Sequence, residues 1–166
     1  MISTAAPYTV SSWVNFGLAL AGVAGALVGL LFVAVSVKTS AVSASRSLSS
    51  RAAETLVLFM TSVVAALVLV APQPDMALGL ELLAWALVSA VLMVILDRRA
   101  GNRSTYRAAR YVERFSPNTI TSVLLAIAGG SFLARRGGGL YWLLPTVAAS
   151  LLGGVINAWL FLVSES

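Results

Sequence analysis

WVNFGLALAGVAGALVGLLFVAVSV, residues Trp13–Val37, runs for 25 positions without a charge. As a helix rising 1.5 Å per residue it would span about 37 Å, more than the roughly 30 Å of a bilayer's hydrocarbon core. Its apolar residues are continuous instead of alternating, which argues against a strand with one wet face. The stretch is about twice the length of a signal peptide's apolar region, and no Lys or Arg precedes it. It reads as a retained transmembrane helix.

Four more apolar runs follow outward from it: Thr55–Ala71, Met76–Leu96, Asn118–Ala134 and Gly139–Val163, interrupted only by Glu81. Pro72 and Pro74 close the second run, because proline cannot donate the next backbone hydrogen bond. Ser116 and Pro117 open the fourth as a cap and a first-turn proline. Gly137, Gly138 and Gly139 make a tight link to the fifth, and Pro145 predicts a kink in its outer third. The Ser-rich stretch Thr39–Ser50 reads as a flexible or interfacial connector. The expected architecture is all-α: one polytopic membrane helix bundle over residues 1–166, with five transmembrane helices and an arginine-rich loop at 97–117.

Composition supports lipid as the solvent. Hydrophobic residues make up 59% of the chain and charged ones 10%, with mean hydropathy +0.94. Soluble domains carry about 25% charge. With no Cys there is no disulfide or thiolate nucleophile, and with no His the commonest general base and zinc ligand are missing. The acids Glu54, Asp75, Glu81, Asp97, Glu113 and Glu165 never fall three or four apart, so no helical face pairs two carboxylates. No enzyme, cofactor or metal is expected.

Basic residues set the orientation. Lys38, Arg46 and Arg51 follow the first helix, and Arg98, Arg99, Arg103, Arg107, Arg110 and Arg114 follow the third. Nine of the eleven cations thus share one side, expected to be cytoplasmic in the inner membrane of a bacterium, with the N-terminus outside and the C-terminus inside. Arg103, Arg107, Arg110 and Arg114 recur at a 4-3-4 spacing, which would put four guanidinium groups on one face of a short helix lying against anionic headgroups. The bilayer, not nucleic acid, is the expected partner of that face.

Small residues mark helix contacts. Gly17, Ala21, Gly25 and Gly29 recur every four residues in the first helix, with Gly22 beside them; they suit packing within one subunit or a homo-oligomer interface. Ser150, Gly153 and Gly154 form a second such face, with Asn157 below them expected to bond across helices or to line a wet cavity. Two acids are intramembrane candidates. Glu54 suits an interfacial ion pair with Arg51. Glu81 suits either snorkelling to the outer interface or a polar cavity with Asn15, Ser131 or Thr146.

GALVGLLFVAVSV (Gly25 to Val37), RAAETLVL (Arg51 to Leu58), LGLELL (Leu78 to Leu83), GGGLYWLLP and NAWLFLV together resemble small multi-pass bacterial membrane proteins common in actinobacteria, grouped as modulators of the FtsH-type membrane protease. The resemblance covers most of the chain and implies a partner-binding role. Two functions remain open from the sequence: a non-enzymatic regulator or assembly partner of a membrane complex, or a small oligomeric channel or transporter using Glu81 and Asn157.

Overall fold

The computed structural model describes residues 6–100 and 117–163, and every regular element among them is helical. Two 3-10 turns, Ala6–Tyr8 and Val10–Trp13, lead into α1 (Val14–Val37). Then come α2 (Thr39–Ala44), α3 (Arg46–Val70), α4 (Asp75–Ala100) and α5 (Pro117–Leu133). A third 3-10 turn, Gly139–Trp142, precedes α6 (Leu143–Val163).

Among the described residues, four stretches are long and apolar enough to cross a membrane: Val10–Val37, Leu48–Val70, Asp75–Leu96 and Gly139–Leu160. The fifth expected span, α5, is apolar but has 17 residues, about 25 Å of helix.

α3 organises the bundle. It packs against α1, α4 and α6, while α5 bridges α4 and α6. α3 to α6 thus close a four-helix ring, and α1 leans on the outside of α3. Apolar side chains fill the ring, with Phe59, Leu78, Leu82, Leu125 and Leu143 almost fully buried.

Polar contacts identify the two ends. At one end Lys38 Nζ donates to Leu162 O at 3.0 Å and Ser50 Oγ to Leu96 O at 3.4 Å. At the other, Gly138 N–H donates to the Tyr8 hydroxyl at 3.2 Å and Arg135 pairs with Asp75 at 2.8 Å. Successive long helices therefore run in alternating directions.

The structure corrects two local expectations. Thr39–Ser50 is largely helical: it forms α2 and the start of α3, which begins at Arg46 instead of Thr55. Extended Ser45 caps α3 by accepting the Leu48 N–H at 3.4 Å. Its neighbours turn their hydroxyls back on the helix, Thr39 to Ser36 O at 2.8 Å and Ser43 to Ser40 O at 2.9 Å. Hydroxyls satisfied in this way let a Ser-rich segment stay helical. Pro145 is the third residue of α6, following the 3-10 turn. A first-turn proline removes no helical hydrogen bond, so the kink expected in the outer third has no cause.

Candidate functional site

The glycines of α1 divide between two faces. A Cβ on buried Gly17 would lie 2.9 Å from Val70 Cγ2 and 3.1 Å from Leu69 Cβ, so this glycine allows α3 to approach. Ala21 packs at the edge of the same core. Gly22, Gly25 and Gly29 are exposed and face open space. The reason is geometric: four residues advance a helix by about 400°, so a period of four drifts roughly 40° per step. Between Gly17 and Gly29 the drift reaches about 120°, and the expected single stripe turns from α3 to the outside.

The small face of α6 is internal. A Cβ on Gly153 would meet the ring of Pro117, and one on Gly154 the ring of Phe59. Ser150 Oγ donates to Leu58 O at 2.7 Å and shares a 2.7 Å bond with the Ser62 hydroxyl. Asn157 is half-buried about two turns further on. A bond across helices at this face is made by Ser150.

A second hydroxyl pair joins the other half of the ring. Ser89 and Ser122 are 2.9 Å apart between α4 and α5, and Ser89 also donates to Ala86 O at 3.0 Å. Trp85 Nε1 donates to Thr61 Oγ1 at 3.1 Å, linking α4 to α3. Among the described residues no buried side-chain nitrogen or oxygen lacks a partner. Ser62, Ser89 and Ser122 belong to no small-residue motif of the sequence. Single serines in mid-span were the only signal, and their pairing depends on which helices adjoin. Gly79 and Gly129 were missed likewise; a Cβ on Gly129 would lie 3.0 Å from Gly79 O.

Among the described residues, Asp75 and Glu81 are exposed. Glu81 is exposed near the start of α4, where its Oε2 accepts from Gln73 Nε2 at 3.0 Å. Gln73 also donates to Val68 O at 3.0 Å, tying the α3–α4 turn together. Of the residues expected to share a cavity with Glu81, Asn15 is exposed, Ser131 donates to Ala128 O, and buried Thr146 donates to Trp142 O. Glu54 is half-buried near the start of α3. Arg103, Arg107, Arg110 and Arg114 lie outside the described residues.

The N-terminal turns cap one end of the bundle. Pro7 and Trp13 are buried, the Tyr8 and Phe132 rings are 6.4 Å apart, and Trp13 stacks edge-on to Tyr141 at 5.3 Å. Gly137, Gly138 and Gly139 have φ of 83°, 106° and 51°, and a Cβ on Gly139 would meet Pro7 O and the Tyr8 ring. The triple glycine is thus both a left-handed turn and the seat for the cap.

At the opposite end α1, α2 and α3 enclose an apolar groove of about 200 Å³, with walls from Leu31, Phe32, Val35, Val42, Ala53 and Leu56. Among the described residues no three acids, His or Cys gather as metal ligands. No protein-family profile, curated protein or solved structure matches the chain.

Proposed function

We propose that the chain is a non-enzymatic multi-pass membrane protein that works by lateral association, as a regulator or assembly partner of a membrane complex. Five spans are proposed, with α5 crossing in company with α4 and α6, the N-terminus outside and the cationic turns in the cytoplasm. The observation that carries this reading is the outward face of α1, where Gly22, Gly25 and Gly29 meet nothing.

Glycine costs a helix up to about 1 kcal/mol relative to alanine and offers lipid little to pack against. A glycine row does allow another helix backbone to approach closely, gaining dispersion contacts and weak Cα–H···O bonds. The resemblance to protease-modulating membrane proteins points the same way. The exposed position of Glu81 weighs against the transport alternative.

Two measurements test the proposal. Energy transfer between labelled copies in liposomes, alone and with a host membrane fraction, should report association that Gly25→Leu lowers at least tenfold. Ion flux through the same liposomes should remain at background for wild type and for Glu81→Gln. Flux that depends on Glu81 would replace association with transport as the function.

A further inference from the structure

The ring is built twice from one pattern. Thr61, Ser62 and Val63 of α3 recur as Thr121, Ser122 and Val123 of α5, 60 positions later. Leu82, Leu83, Ser89, Val94 and Ile95 of α4 recur as Leu143, Leu144, Ser150, Val155 and Ile156 of α6, 61 positions later. The matching letters are few, and the bonds they make identify them as a repeat. Thr61 donates to Val57 O at 2.9 Å, and Thr121 donates to Pro117 O at 2.7 Å. Ser62 pairs with Ser150 at 2.7 Å, and their counterparts Ser122 and Ser89 pair at 2.9 Å. The hairpins α3–α4 and α5–α6 are thus equivalent halves. Because α3 and α5 run in the same direction, the axis relating the halves lies along the bundle.

The two halves differ in what covers them. α1 rests on the outward face of α3, where Gly17 admits Val70 and the Ala66 carbonyl and Ala66 is fully buried. Val63, Ala66 and Val70 follow the 3-4 spacing of one helix face. Their counterparts on α5 are Val123, Ala126 and Gly130. Val123 is 53% exposed, Ala126 is half-buried, and a Cβ on Gly130 would meet nothing. α1 of the same chain cannot reach this face, because α5 lies across the ring from α3.

We infer that the outward face of α5 is the docking site for α1 of a second copy of this chain, which meets it through Gly22, Gly25 and Gly29. The equivalent seat on α3 already takes α1. The second face of α1 is small and open, so its backbone can approach Ala126 and Gly130 as Gly17 approaches α3. Depth agrees as well. Copies inserted in one orientation bring α1 antiparallel to α5, as it is to α3. Gly17 stands opposite residues 66–70, so Gly22, five positions along, stands level with residues 61–65 and hence with Val123 on α5. The inference rests on the proposed lateral association and names its partner surface. One copy supplies α1 and the next supplies α5, a head-to-tail contact that closes into a ring or extends as a row.

The chain has no cysteine, so full-length copies in liposomes can each carry a single one. Copies with Gly22→Cys mixed with copies with Val123→Cys should form disulfide-linked pairs under mild oxidation, at least tenfold more than either population alone. Leu87→Cys, on the exposed side of α4, should not link to Gly22→Cys. Val123→Trp should lower energy transfer between labelled copies at least tenfold, with helical content and melting temperature unchanged. No linkage in the mixture, equal linkage of Gly22→Cys copies to one another, or undiminished transfer in folded Val123→Trp overturns α5 as the docking site while wild-type copies still associate. Transfer at background between wild-type copies would instead overturn lateral association itself, and the site with it.

Discussion

Ser150 has one hydroxyl proton, and Leu58 O receives it. The proton shared between the two serines therefore comes from Ser62, which makes Ser150 the centre of a three-member chain. Ser150→Ala removes both links and leaves Ser62 without its acceptor; Ser62→Ala leaves Ser150 bonded to Leu58. Hydrogen bonds between membrane helices contribute about 0.6 kcal/mol on average and up to about 1.7 kcal/mol. Thermal unfolding in detergent should accordingly show Ser150→Ala costing about 1 kcal/mol and Ser62→Ala less; the reverse order would refute this proton assignment. Glycines make a second contrast. Gly154→Ala drives a methyl group into the buried Phe59 ring and should destabilise by about 1–3 kcal/mol. Gly25→Ala meets open space and should leave the melting temperature level or slightly raised. Neither difference is visible in the residue type. It depends on what stands opposite.

At the scale of elements, the N-terminal turns are held by the Gly138–Tyr8 hydrogen bond and by close packing on Gly139. Gly139→Ala adds a Cβ at φ +51° and against Pro7 O, so the cap should lift while α3 to α6 stay packed. Limited proteolysis should then cut near Val10–Trp13 at least tenfold faster with little loss of helical content; unchanged cutting would mean that the cap does not depend on this approach. The Arg135–Asp75 pair at the same end is a lesser matter. Its side chains are 66% and 47% exposed, so Asp75→Asn should cost well under about 1 kcal/mol. Sequence foresaw the proline-closed turn and the glycine link because both are local backbone constraints. The helical Ser-rich segment escaped it: serine favours turns in water, yet in a helix its hydroxyl can satisfy itself on a carbonyl one turn back.

For the whole molecule, the alternating ends make topology the decisive measurement. The chain has no cysteine, so single cysteines report without background. Gln73→Cys and Arg136→Cys should react with an impermeant maleimide from outside intact cells, and Ser43→Cys only after the membrane is opened. Labelling of Arg136→Cys from the inside alone would mean that α5 does not cross. The candidate association face was only partly legible for a reason of the same scale. The recurrence of small residues is written in the chain, but which of them α3 covers follows from the helix's twist and the neighbour's position. Gly17 lies under α3 and Gly25 does not.

The chain by itself determined that its helices would be long and apolar, where prolines and glycines would end them, and which turns would carry positive charge. These follow from backbone chemistry and transfer free energy, which act on each segment alone. Tertiary structure decided which serines share a proton, which glycines are covered, that Glu81 bonds to Gln73, and that α1, α2 and α3 leave a groove. Each of these joins residues distant in sequence or facing different neighbours, and only the packing of one helix against another brings them together or holds them apart.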